Sequence, residues 1–215
     1  MKRPITSRGN PPDNIEIYET LFSFIDDVLF QYKPSTKEEG ENKITQNIEK
    51  YLSEIAHLMD TFFAFQNQSQ PIHGNVSTDI EVYLRDRFYT TLCWIEAKRL
   101  PTPDGGKIRD EREYVFVDKK RFDGGGGIQR FKEGQHAPNL HISIMFGYIQ
   151  ENNDVDYWLS KINNWILDLA NTENGFWSYG DCLRKNDSNK CNRLLSEHKR
   201  HDETKIVLHH YWIKV

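Results

Sequence analysis

The stretch CWIEAKRL, residues 93–100, places an acid and a lysine inside an apolar, aromatic-rich run. Such a run is a buried strand by composition, and strand side chains alternate between the two faces of a sheet. Leu92, Trp94, Glu96 and Lys98 then share one face, and Cys93, Ile95 and Ala97 share the other. A charge inside a core costs several kcal/mol unless something answers it. Glu96 and Lys98 are neighbours on one face, so the question the strand raises is what else meets them there.

Upstream lie two more strand-like runs, TFFAFQ (61–66) and TDIEVYL (78–84), joined to TTLCWIEAK (90–98) by short polar links. Three such runs in succession predict a meander. Asp79 opens the second run, and an antiparallel return brings the start of that run beside the end of the third. Asp79 and Glu96 then converge with Lys98 at one end of the sheet. Two partly buried carboxylates repel unless a cation with a preference for hard oxygen ligands, such as Mg²⁺, neutralises them. A lysine beside them can orient or deprotonate an attacking water or stabilise a phosphate, the division of labour of metal-assisted phosphodiester hydrolysis. Taken alone, Glu-x-Lys in a strand is more often a cross-strand ion pair or a solvated face. The combination with Asp79 and with Glu41, which opens a helix before the sheet, favours a site.

Around the meander, residues 1–14 are rich in Pro, Gly and Asn and predict a flexible arm, with a single domain over 15–215. Apolar residues at helical spacing predict helices over 15–32 and 41–58, and again over 128–134, 139–150 and 155–171. In the last of these the stripe Tyr157, Trp158, Ile162, Trp165, Ile166 and Leu169 reads as core or a dimer face. TKIVLHHYWIKV, at 204–215, predicts a closing strand by alternation. The fold class is therefore α/β.

A chain of 215 residues that is 37% hydrophobic and 28% charged can bury one sizeable core. The net charge of −4 speaks against a uniformly basic nucleic-acid binder but not against a local basic patch. Three cysteines, with no CxxC pair, suit a reducing compartment. There is neither a secretory signal pattern nor an apolar run long enough to cross a bilayer, so a cytoplasmic protein without a membrane partner is expected.

ENKITQNIEKYL, TDIEVYL and WIEAKRL together resemble the PD-(D/E)XK nuclease superfamily, the restriction endonuclease-like fold. The resemblance spans about 41–150, including GGIQRF and HISIMFGYI behind the third strand. It implies a core of helix, three-stranded meander, helix and strand, with further helices at the N-terminus and in the C-terminal half. It implies catalytic Glu41, Asp79, Glu96 and Lys98, and a metal bound by Asp79, Glu96 and the backbone carbonyl of Ala97. The cofactor would be Mg²⁺, with Mn²⁺ as an alternative, and the substrate DNA, with RNA not excluded. The implied setting is prokaryotic restriction or anti-phage defence, as a homodimer or beside a partner protein. Thr78 stands where the name-giving pattern has proline before the aspartate. The competing expectation is a nuclease-like binding or interaction subunit without catalysis.

Other motifs extend or limit this expectation. The glycines of GGGGIQRF (124–131) precede a helix and suit either a phosphate-binding nest, with Gln129 and Arg130 as added contacts, or a hinge. His136 and His141 flank a predicted helix start; His136 is the candidate to contact substrate, against an ordinary capping or surface histidine. SEHKRH (196–201) reads as a solvated helix end or a phosphate contact. Cys182, Cys191, His198 and His201 have the spacing C-x8-C-x6-H-x2-H, which matches no common zinc finger, and no zinc site is expected.

Overall fold

The computed structural model describes residues 15–34, 40–67, 79–102, 109–118, 120, 125–172, 175–186, 191 and 193–215. The expected arm at 1–14, and Thr78, lie outside the described residues.

Helices α1 (Ile15–Gln31) and α2 (Glu41–Leu58) precede the meander of β1 (Phe63–Asn67), β2 (Ile80–Leu84) and β3 (Thr91–Leu100). Helix α3 (Gly127–Lys132), β4 (Ile142–Ile149) and α4 (Val155–Ala170) follow. A single 3-10 turn (Tyr179–Asp181) leads into β5 (Arg184–Lys185), β6 (Leu194–Lys199) and β7 (Lys205–Lys214). The seven strands form one sheet in the order β1-β2-β3-β4-β7-β6-β5. β4 runs parallel to both β3 and β7, and the outer pairs are antiparallel. The α/β class is borne out.

Two apolar layers hold the sheet. On one face Leu21, Ile25, Ile44, Ile48 and Leu52 of α1 and α2 pack on Ile80, Val82, Cys93, Ile95 and Phe146. On the other, Phe131, Trp158, Ile162 and Ile166 of α3 and α4 pack on Trp94, Met145, Leu208 and Trp212. Each fully buried aliphatic or aromatic side chain contributes about 1.5–3 kcal/mol relative to an exposed one.

Three sequence expectations are corrected. Residues 139–150 are not a helix; most of them form β4, whose eight residues are almost all buried. A strand covered by helices on both faces reads as a continuous apolar run, and periodicity alone does not separate it from a buried helix. SEHKRH is not a helix end, because its first four residues belong to β6, paired antiparallel with β7. Leu92 does not share the face of Trp94. The register shifts between Val82 and Tyr83, so that Val82 faces Cys93 and Tyr83 faces Thr91, and Leu92 is the extra residue. A bulge of this kind breaks the alternation, and Leu92 joins Cys93 in the layer beneath α1 and α2.

The geometry that positions the candidate site is the unequal length of β2 and β3. The ladder between them ends at Ile80 opposite Ile95, whereas β3 continues to Leu100. Past that point the backbone groups of Ala97 and Arg99 on the β2 side have no strand to pair with among the described residues, and buried backbone donors need partners.

Candidate active site

Two carboxylates take the place of the missing strand. Asp79, just before β2, donates its backbone N–H to the Ile95 carbonyl at 3.1 Å, which fixes it at the end of the ladder. Its Oδ2 accepts from the Ala97 N–H at 2.7 Å. Glu41, the first residue of α2, accepts from the Arg99 N–H through Oε2 at 3.1 Å. The acids expected at the helix start and the second strand thus meet the edge of β3 two residues apart.

Glu96 and Lys98 complete the cluster. The Lys98 ammonium lies 2.8 Å from Glu96 Oε1, 2.9 Å from the Ala97 carbonyl oxygen and 3.6 Å from Glu41 Oε1. Glu96 is 1% exposed and Lys98 6% exposed, so both charges depend on these contacts. From α3, Arg130 Nη1 donates to Glu96 Oε1 at 2.9 Å. His136 Nδ1 stands 3.4 Å from Glu96 Oε2. The His136 ring is fully buried, and neither of its nitrogens has a hydrogen-bond partner.

The charges follow from this packing. Burial pushes the Asp79 carboxyl up to about 7, Glu96 adds to the rise, and Lys98 and the Ala97 N–H oppose it. Burial also works against an ionised Glu96, but Lys98, His136 and Arg130 outweigh it and hold that carboxyl below its ordinary value. Burial pushes His136 down to about 4. With that imidazole neutral near pH 7, the ammonium and guanidinium are what keep Glu96 ionised. Burial disfavours the Lys98 charge, yet Glu96, Glu41 and Asp79 raise its affinity for the proton above that of a free lysine. The cluster therefore holds Glu96 and Lys98 ionised and leaves Asp79 poised near neutrality.

Among the described residues, no group of three or more His, Cys, Asp or Glu side chains is arranged to hold a metal ion. The carboxylate oxygens are committed instead, to Lys98, Arg130 and two backbone N–H groups. Chemically the donor set fits a hard divalent cation, being three carboxylates and a carbonyl. It already surrounds one positive charge, that of Lys98.

The remaining sequence candidates fare differently. Gln129 does not reach the cluster. Its Oε1 accepts from the N–H groups of Val117 and Gly126, its Nε2 donates to Glu133, and the side chain is buried. It caps α3, with its carbonyl oxygen shared by two backbone N–H groups. In the described part of the glycine run and the helix start behind it, the N–H groups of Gly127, Ile128 and Gln129 are used within the fold, donating to the carbonyls of Glu113, Tyr114 and Val115. Glycine is needed because that segment lies against it: a Cβ on Gly126 would fall 2.3 Å from the Phe116 Cα. His136 is fully buried beside Glu96 rather than on the surface. His141, at the start of β4, contacts the Lys205 carbonyl at 3.3 Å.

Arg200 was flagged only as part of a basic run, yet it positions the site. Its guanidinium is buried and donates to the carbonyls of Phe131, Ala137, Pro138 and Leu140. It thereby fixes the segment that carries His136 onto Glu96. A guanidinium folded onto four carbonyls leaves no signal in local sequence.

His198, one of the weighed zinc candidates, belongs to a buried polar chain. Asp181 Oδ1 meets His198 Nδ1 at 2.7 Å, His198 Nε2 meets Ser196 Oγ at 2.6 Å, and Ser196 Oγ meets His210 Nε2 at 2.7 Å. His210 Nδ1 meets the Tyr114 hydroxyl at 2.8 Å, and Trp212 Nε1 donates to that hydroxyl at 3.0 Å. An ionised carboxylate only accepts, and burial disfavours a charge on either imidazole, which together set the direction of every bond. Tyr114 donates to His210 Nδ1, His210 Nε2–H to Ser196, Ser196 to His198 Nε2, and His198 Nδ1–H to Asp181. Each neutral imidazole thus donates once and accepts once. Asp181, His198 and Ser196 have the contacts of a hydrolytic triad, but Ser196 is fully buried and its hydroxyl committed, so it is not a nucleophile. Neither Cys182 nor Cys191 forms a disulfide, Cys191 Sγ donates to the Asp26 carbonyl at 2.8 Å, and the His201 ring stacks on Phe176 at 4.4 Å.

No helix among the described residues is long and apolar enough to cross a membrane. Compared with known protein families, with curated proteins and with solved structures, the chain has no match in any of the three.

Proposed function

We propose that the protein is a metal-dependent nuclease of the PD-(D/E)XK type that hydrolyses phosphodiester bonds, of DNA in the first instance. The observation that carries this reading is the convergence of Glu41, Asp79, Glu96 and Lys98, from three different elements, at the open end of the β2–β3 ladder. The order α2, β1-β2-β3, α3, β4, with β4 parallel to β3, also agrees with the core that the sequence resemblance implies.

In this reading Asp79, Glu96 and the Ala97 carbonyl would hold Mg²⁺ or Mn²⁺, and Glu41 would orient a water beside them. The bound ion supplies Lewis-acid stabilisation of the phosphate and an acidified water. Lys98 brings a positive charge to the reacting phosphate, Arg130 adds a second one from α3, and His136 with Arg200 holds Glu96 and the α3 segment in place. Prokaryotic restriction or anti-phage defence, a cytoplasmic setting and a homodimeric or partnered assembly belong to the same proposal. A specific observation favours the competing reading, a nuclease-like interaction subunit without catalysis: Glu96 is ion-paired with two cationic side chains, Lys98 and Arg130.

Supercoiled plasmid incubated with the purified protein in Mg²⁺ or Mn²⁺, against an EDTA control, separates the two. Nicking that appears only with metal and disappears in Glu96→Gln supports the nuclease. Intact plasmid under all conditions overturns it in favour of the silent subunit.

A further inference from the structure

The acidic cluster is closed around a cation of its own. Lys98 Nζ is held by Glu96 Oε1, the Ala97 carbonyl oxygen and Glu41 Oε1, and these are the hard oxygens that suit a divalent metal. Arg130 shares the same Glu96 oxygen from a more exposed position, with 22% of its side chain accessible against 7% for Lys98. Like charges held by one set of oxygens repel strongly in a buried site. A metal and the Lys98 ammonium therefore cannot both keep these contacts.

We propose that the Lys98 ammonium competes with a divalent metal for these oxygens and that the metal binds by displacing it. This deepens the nuclease reading and rests on its metal site. Metal uptake and release of Lys98 are then one coupled event. The released ammonium, on a side chain whose stem remains packed over β3, becomes available to a phosphate, which offers it a new anionic partner. Arg130 loses part of its hold on Glu96 in the same step and gains the same option. Because coupling is reciprocal, an anionic phosphodiester that binds Lys98 and Arg130 favours metal binding, and metal favours the phosphodiester. The arrangement keeps the site closed and charge-matched until both are present.

The test uses the full chain and Mn²⁺ alone. Free Mn²⁺ is followed by its electron paramagnetic resonance signal as it is titrated into the native protein and into Lys98→Met, which keeps the apolar stem and removes the charge. The displacement account expects Lys98→Met to bind Mn²⁺ on the order of tenfold more tightly, within the range of 5- to 150-fold typical of coupled sites. If the native protein binds Mn²⁺ and Lys98→Met binds it equally or more weakly, displacement is wrong while the metal site stands. If neither protein binds Mn²⁺, the metal site itself is wrong and the nuclease reading goes with it.

Should Lys98→Met fail to fold, native protein with ¹³C-labelled lysine side chains titrated with diamagnetic Mg²⁺ gives the same answer. The Lys98 Cε resonance is expected to move from a buried, ion-paired position toward that of a mobile lysine. A Lys98 resonance unmoved while Mg²⁺ binds overturns the proposal.

Discussion

Asp79 shows most plainly that the candidate site is not arranged for stability. Its carboxyl, pushed up to about 7 by burial and by Glu96, binds a proton more tightly in the folded than in the unfolded chain. Between the ordinary carboxylate range and pH 7 the folded state thus carries the extra proton, and stability falls as pH rises through that window. A tenfold change in proton affinity is worth about 1.4 kcal/mol. Asp79→Asn keeps an oxygen to accept from the Ala97 N–H and never ionises. In EDTA, its expected gain in unfolding free energy is about 1–3 kcal/mol at pH 8 and vanishes toward pH 4; a loss of stability at pH 8 would show that the native carboxylate is well paired. Ser196 makes the opposite case. Ser196→Ala strands His198 Nε2 and the His210 Nε2–H in the core, and the expected cost is about 2–5 kcal/mol by urea denaturation. A neutral substitution would mean the buried chain is not formed as described. How far the residues were legible follows from range. The face shared by Glu96 and Lys98 is a two-residue alternation, and Asp79 is one short hairpin away, so both are open to sequence reasoning. Gln129 and Arg130 were both expected at a phosphate, but which neighbour each side chain meets is set by segments 12 and 34 residues away, Val117 for one and Glu96 for the other.

At the scale of elements, the helices were legible because each has an exposed polar face, and the meander because short polar links separate runs rich in aromatic and β-branched residues. β4 was not, because its two buried faces erase the period that distinguishes strand from helix. β6 went unread for a related reason. Its residues SEHK are polar, yet Ser196 and His198 are buried in a hydrogen-bonded chain whose partners lie on β7, the 3-10 turn and the segment around Tyr114. The glycine run before α3 was visible and its purpose was not. Gly126 is small because the backbone of Val115 and Phe116 lies on it, with the Val115 carbonyl oxygen 2.5 Å from where a Cβ would be. Gly126→Ala therefore pushes α3 off that segment, at an expected cost of about 1–3 kcal/mol or more, and carries Arg130 and His136 away from Glu96. The substitution should lower the melting temperature and, in the protein that remains folded, weaken metal-dependent cleavage. Full stability in Gly126→Ala would contradict the docking of α3 described here.

For the whole molecule, one mismatch of lengths organises the site. β3 outlasts β2, two carboxylates fill the gap, and helices on the two faces of the sheet bring Glu41 from one side and Arg130 with His136 from the other. Charged groups are collected at the end of the β2–β3 ladder, α2, β3 and α3 hold them, and burial with Glu96 pushes the Asp79 carboxyl up to about 7. The claim that they form a nuclease turns on Lys98, which as a mere ion-pair partner of Glu96 would affect folding, and as a catalytic group would affect the chemical step. The deciding measurement is the rate of plasmid nicking in Mg²⁺ by native protein and by Lys98→Met, each corrected for its folded fraction. A fall on the order of 10²-fold or more at saturating DNA is the expected result for a positioned electrostatic or proton-transfer group. Nicking by folded Lys98→Met at the native rate would contradict it.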